Sequence, residues 1–209
     1  VQWGDTTARQ LFGAPASTER FAAVSCGAYH TLALRADGSL VQWGDMTANQ
    51  TVGAPVTTAR FSAVSAGAFH SIGLRTDGTI IQWGQTSANQ GTNLALVTGQ
   101  FTAITAGAYH GLALRADGSW IQWGDATRGQ INSLPVTTAR FTRVVAGFGH
   151  NLALRTAGSL LPWGDTSFSQ GLNAPMASER LVKLAAGIGH SLGLRADGSL
   201  VQWGQTGLG

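Results

Sequence analysis

Five histidines, His30, His70, His110, His150 and His190, stand forty residues apart. A ring of imidazoles is the residue type a metal ion would use. Carboxylates recur with the same step: Asp5, Asp45, Asp125 and Asp165 follow Trp-Gly pairs, and Asp37, Asp77, Asp117 and Asp197 precede glycines. Either acidic set could supply a general base. The spacing argues against both chemistries. Equivalent positions in a circle of repeats do not converge within the roughly 2.0–2.1 Å that zinc–nitrogen ligation demands. Gln85 and Gln205 replace the aspartate in two repeats, and an amide cannot take a proton. Ala157 interrupts the second set without disturbing the period. No Ser-His-Asp order, phosphate loop or dinucleotide fingerprint stands apart from the repeat. The expectation is a chain with no catalytic, cofactor-binding or metal-binding residue. It does not read as an enzyme.

The elements that carry these residues are set by the same period. Trp-Gly pairs stand at Trp3, Trp43, Trp83, Trp123, Trp163 and Trp203, with glycines at Gly27, Gly67, Gly107, Gly147 and Gly187. In one unit, Phe61 to Ala66 is apolar and β-prone. His70 to Arg75 forms a second strand, and Thr79 to Trp83 a third. Asp77-Gly78 between them is the signature of a type I′ hairpin turn. A short extended piece around Ala95 to Thr98 is the expected fourth strand. No segment holds a 3.6-residue apolar period, so helices are not expected. Gly73, Gly193, Ala33, Ala113 and Ala153 share one strand position, where small residues would let neighbouring sheets approach closely. The reading is an all-β chain, residues 1–209, forming a single β-propeller array of 40-residue blades. Five Gly-x-x-His segments meet six Trp-Gly segments, so one Trp-Gly strand is extra. That count fits a closed ring with a redundant strand, part of a seven-bladed ring, or an open array.

Composition narrows the partners. Charged residues make up 11% of the chain, and the formal net charge is +3 with no basic run. Nucleic acid is therefore not the expected partner. No apolar run approaches the roughly 20 residues of a membrane helix, so membrane insertion is not expected. Cys26 is the single cysteine. It fills a slot held elsewhere by alanine and reads as a small buried residue.

The pattern Gly-x-x-His, small-Leu-Arg-x-Asp-Gly, then Gln-Trp-Gly-Asp with a Gln five residues later, resembles the repeats of the regulator of chromosome condensation family. The likeness covers essentially the whole chain. It implies a seven-bladed propeller that binds other macromolecules. It places the histidines at strand starts, bonded to backbone across blades. The 40-residue length is most similar to bacterial β-lactamase inhibitors built from compact repeats of this kind.

Function is expected where the repeats differ, because the scaffold frees its loops. In those inhibitors, aromatics before the histidine help form the binding face. The resemblance therefore implies Tyr29, Phe69, Tyr109 and Phe148 as partner-binding residues. Aromatics suit that role because they bury large rigid area at low entropic cost. The competing reading packs them between blades as core. A second loop set, after Trp-Gly, contributes Met46, Arg128 and Phe168, since large side chains in loops suggest contact. Trp120 reads as core. The arginines of the Leu-Arg pairs, Arg35 to Arg195, are expected to bind carbonyls or the Asp of a neighbouring turn. The leading reading is a protein-binding scaffold whose partner the sequence does not name. The alternative is a self-assembling module, a homo-oligomer formed through an open strand edge.

Overall fold

The computed structural model describes residues 9–205 except 17, 46, 48, 51, 56–57, 86–89, 91–97, 132–139, 168, 171–173 and 176–178. Among these residues, fifteen strands form five separate three-stranded antiparallel sheets. These are the blades. The first holds β1 (Ala23–Cys26), β2 (His30–Leu34) and β3 (Leu40–Gly44). The second holds β4 (Phe61–Ala66), β5 (His70–Arg75) and β6 (Ile80–Gly84). The third has β7 (Phe101–Ala106), β8 (His110–Arg115) and β9 (Trp120–Gly124). The fourth has β10 (Phe141–Ala146), β11 (His150–Arg155) and β12 (Leu160–Gly164). The last comprises β13 (Leu181–Ala186), β14 (His190–Arg195) and β15 (Leu200–Gly204). The expected fourth strand and the extra Trp-Gly segment at 1–4 fall largely outside the described residues; Thr98, which is described, is not in a strand.

The hairpins differ from expectation. Gly38, Gly78, Gly118 and Gly198 have positive φ, but the preceding aspartates do not. Type I′ needs both. Instead Gly38 N–H donates to Arg35 O at 2.9 Å, and Arg35 N–H donates to Ser39 O at 3.0 Å. This is a type I turn closed by one left-handed glycine, a longer loop that ordinary residues tolerate before the Gly. The aspartate serves the turn differently, accepting from Ser39 N–H at 2.9 Å and Ser39 Oγ–H at 2.7 Å.

Middle strands such as β5, β8 and β11 are buried nearly end to end. Both faces of the second, third and fourth sheets are covered, which is why their apolar residues do not alternate cleanly. The core lies between blades. Ile72 and Leu74 of the second pack with Phe101, Ala113 and Trp123 of the third. Leu112 and Leu114 pack with Phe141, Val144 and Trp163 of the fourth in the same way. Trp120 meets Trp163 at 4.3 Å and Phe141 at 5.7 Å, as a core residue would. The shared small position works within a blade as well. A Cβ on Gly73 would lie 2.6 Å from Phe61 of its own sheet, and one on Gly193 2.9 Å from Leu181.

Polar joints set the register between blades, and their hydrogen bonds link a residue to one 41 positions on. Trp83 Nε1–H donates to Gln42 Oε1 at 3.2 Å, Trp123 to Gln82 at 2.6 Å, and Trp163 to Gln122 at 3.2 Å. Ala66, Ala106 and Ala146 N–H donate to Ser25, Ser65 and Thr105 hydroxyls at 3.0, 2.9 and 3.2 Å. Arg60 pairs with Asp37 at 3.9 Å and Arg140 with Asp117 at 3.4 Å. Magnitudes separate the roles. A buried aromatic of about 150–250 Å² contributes several kcal/mol by area, against about 1 kcal/mol for one hydrogen bond. Burial holds the blades together, and the joints choose their alignment.

The joint between the fourth and fifth blades has lost most of this set. Pro162 stands in the Gln slot, Val145 in the hydroxyl slot and Ala157 in the Asp slot. Proline is tolerated there because β12 is an outer strand of its sheet. The cost falls on Trp203, which is 3% exposed and whose Nε1–H has no acceptor among the described residues. Pro162→Gln is expected to raise stability by about 1 kcal/mol. Relieving an unsatisfied buried donor recovers roughly 1–3 kcal/mol, partly offset by the freer unfolded chain. Denaturant melts should show the gain, and a Trp203→Phe background should abolish it.

Two expectations are corrected here. Cys26 is exposed rather than buried, because it lines a cavity of about 510 Å³ bounded by the ends of all five first strands. Two of the Leu-Arg arginines take glutamate rather than the turn aspartate: Arg35 pairs with Glu19 at 2.7 Å, and Arg195 with Glu179 while also reaching Leu200 O. The turn carboxylates of Asp37 and Asp117 pair instead with Arg60 and Arg140, which precede the first strand of the following blade. Arg115 does meet a carbonyl, that of Thr98, at 3.1 Å.

Candidate functional site

Two loops meet at the end of each blade opposite the Asp-Gly hairpins. One precedes the histidine, and the other follows Trp-Gly. Asp45 N–H donates to Tyr29 O at 2.8 Å, Gln85 to Phe69 O at 2.9 Å, and Asp125 to Tyr109 O at 2.9 Å. Asp165 N–H reaches Gly149 O at 2.8 Å. The glycine after tryptophan makes this approach feasible. At φ +117° a Cβ on Gly44 would lie 2.5 Å from Tyr29 O.

The histidine fixes the other side of the loop. His30 Nε2 shares a hydrogen bond with Ser71 Oγ at 2.9 Å, and His150 with Ser191 Oγ at 2.9 Å. His110 Nε2–H donates to Asn151 Oδ1 at 2.7 Å, with the amide oriented by its own bond to Gln130 O. The expected partner was backbone; the observed partner is a side chain of the next blade. His70 faces Gly111 and has no such partner, because Trp123 occupies that space: a Cβ on Gly111 would lie 2.4 Å from it. Burial pushes His30, His110 and His150 down to about 4. Burial, with neighbouring His110 and His30, takes His70 to about 3. These imidazoles are neutral structural groups, each at its own joint.

The aspartates of the second loop cap turns. Asp45 accepts from Thr47 N–H at 2.9 Å, which holds its carboxyl below the usual range. The hydroxyl and amide of Ser167 do the same for Asp165, with a lesser contribution from Arg128. Asp125 accepts from Thr127 and from the buried Gln130 Nε2–H at 3.1 Å. Among the described residues, no group of three or more His, Cys, Asp or Glu side chains could hold a metal ion.

The geometry brings the implied aromatics into one row. Tyr29 stacks on Phe69 with centroids 5.3 Å apart, and Phe69 on Tyr109 at 6.2 Å. Phe148 meets Tyr109 edge-on at 5.9 Å, although it sits one residue earlier in its loop. Arg128 closes the row, 5.3 Å over the Phe148 ring and 3.0 Å from Asp165. Gly149 leaves room for it, since a Cβ there would lie 2.8 Å from Arg128 Cδ. Tyr29 is 36% exposed, and the other three rings are half-buried. Both readings of these aromatics thus hold in part: they pack across blades and keep an open edge. Met46 and Phe168 lie outside the described residues.

Sequence reasoning missed the joint residues Gln42, Gln82 and Gln122. The signal was present as a glutamine before five of the six Trp-Gly tryptophans, with Pro162 the exception.

The fold and these loops define a β-propeller built of short, similar repeats. Residues 21–50 and 61–90 match the family model of the regulator of chromosome condensation (RCC1) repeat. Two of its five repeats are thus similar in sequence to that family's repeat. No curated protein sequence matches it. Among solved structures, the ectodomain of the Physcomitrella patens receptor kinase CR4 is 28% identical, with a TM-score of 0.74. That match covers 92% of this chain and 52% of the ectodomain, so the chain spans about half its length. The CRINKLY WD40 ectodomain of the Arabidopsis thaliana receptor kinase ACR4 is 23% identical, with a TM-score of 0.76 over 96% of this chain and 71% of that one. Prp20p from Saccharomyces cerevisiae is 19% identical, with a TM-score of 0.70 over 88% of this chain and 58% of Prp20p.

Proposed function

We propose that this chain is a non-enzymatic scaffold that binds a protein through the row Tyr29, Phe69, Tyr109 and Phe148. The observation that carries this reading is the continuity of the row. Four rings from four successive blades contact one another in sequence while their outer edges stay open. Rings already stacked lose little freedom on binding, so more of their buried area appears as affinity. Arg128 adds a fixed cation at one end, its position set by Phe148 and Asp165. The structure of Prp20p was reported with its binding to Gsp1p and histones, a use of this fold that supports the reading by analogy. The turn-capping aspartates and neutral buried histidines support a scaffold without catalysis.

Tyr109 is the centre of the row, touching Phe69 on one side and Phe148 on the other. Peptides selected on the intact protein from a displayed library should lose about 2 kcal/mol of affinity, roughly thirtyfold, on Tyr109→Ala. Phe69→Ala should behave similarly, with near-UV circular dichroism showing that both variants remain folded. Selected peptides that bind both variants as tightly as the parent would place the binding face elsewhere.

A further inference from the structure

Charge is spread unevenly along the hairpin end of the molecule, opposite the aromatic row. In the first blade Arg35 pairs with Glu19, and the turn carboxylate of Asp37 takes Arg60 of the second. The fourth and fifth blades add cations and lose a carboxylate at this end. Ala157 removes the turn carboxylate present at 37, 77, 117 and 197. Arg143 and Lys183 occupy a strand position held by Ala23, Ala63 and Ala103 in the other blades. Register places them near the hairpins, because Arg143 lies opposite Leu154 and Lys183 opposite Leu194. Both are exposed, on first strands of adjacent blades. Arg180 is exposed one residue before β13, and Arg155 stands at the hairpin base, its Nη1–H donating to Ser159 at 3.1 Å. None of these four cations has a carboxylate partner among the described residues.

We infer that this surface binds an acidic segment of a protein partner. Unpaired guanidinium groups are forks suited to carboxylates, and exposed Lys183 adds a mobile point charge. Val182, 40% exposed between Arg180 and Lys183, offers an apolar contact of the kind a peptide uses. Single-stranded nucleic acid fits less well. It needs aromatic platforms for its bases, and no exposed aromatic among the described residues lies at this end. The patch is also confined to two blades, too short to follow a backbone. Sequence inspection hides it because its members are separated by whole repeats.

The test uses the full chain and a fluorescein-labelled oligoglutamate peptide, followed by fluorescence anisotropy at low salt. The intact protein should bind it, and added salt should weaken the complex. Arg143→Ala with Lys183→Ala should lower affinity about tenfold, as expected for two exposed ion pairs. Alanine is the native residue at this position in three blades, so the fold should survive. Ala157→Asp, which restores the usual turn residue, should also weaken binding. Tyr109→Ala should leave it unchanged, which separates this surface from the aromatic row. Absent binding at low salt, or binding indifferent to these changes, would overturn the inference. So would a labelled oligothymidylate that binds more tightly than oligoglutamate and loses affinity in the same variants, which would assign the surface to nucleic acid.

Discussion

Gly107→Ala is expected to cost about 3 kcal/mol, the upper end of what forced overpacking does to a close-packed interior. The new methyl would lie 2.1 Å from His110 Cε1, 2.5 Å from Nδ1 and 2.7 Å from Gly147 O. Neither neighbour can yield cheaply. The imidazole is fully buried and tied to Asn151 at 2.7 Å. The carbonyl belongs to the next blade and accepts a bond from Ala108 N–H at 3.3 Å. For a chain of this size the midpoint of thermal unfolding should fall by roughly 6–12 °C. Gly13→Ala supplies the comparison. Nothing lies within 4 Å of a Cβ there, and only its φ of +74° resists substitution, which costs about 1 kcal/mol. Equal losses in the two variants would mean that the blades slide freely and that the glycine is not a register stop.

Acid should unfold the protein well above the range of ordinary carboxylates. The histidines His30, His110 and His150 titrate at about 4 in the folded chain, and His70 at about 3, against 6.5 when unfolded. Because the folded values are the lower ones, the unfolded chain takes up protons first. Stability is full above pH about 6.5 and falls as pH drops toward 4. Near pH 5 each buried imidazole costs about 2 kcal/mol, and together they cost about 8 kcal/mol. That is comparable with the whole stability of a typical domain. Guanidinium melts between neutral pH and pH about 5 should show a steep loss, with His110→Gln making it shallower. A flat profile over that interval would show that the histidines are accessible to protons in the native state.

The blade architecture was legible because a forty-residue step leaves little freedom. Phe61 to Ala66 and His70 to Arg75 match β4 and β5 residue for residue. The aromatic row was reached through resemblance, and its internal stacking could not be read from residues forty apart. Three features escaped for distinct physical reasons. The Asp-Gly turn chemistry fits two hairpin types, and only the dihedral at Asp37 separates them. The histidine's partner is chosen by what the next repeat offers, a serine at 71, nothing at Gly111 and an amide at 151. The cationic surface depends on a deletion of charge at Ala157 as much as on Arg143 and Lys183. A reading attentive to what repeats share passes over what one of them lacks.

The joints linking positions 41 apart bear on how such a chain can be recombined. Half of every joint belongs to one repeat and half to its successor: Gln42 with Trp83, Ser65 with Ala106, His150 with Ser191. A forty-residue unit moved whole to a new place therefore carries two mismatched halves and keeps neither interface intact. The cassette that travels without loss runs from the middle of one blade to the middle of the next, with its joint inside. Exchange that respects this offset frame could vary the loops freely, whereas exchange at blade boundaries would leave scars like the one beside Pro162.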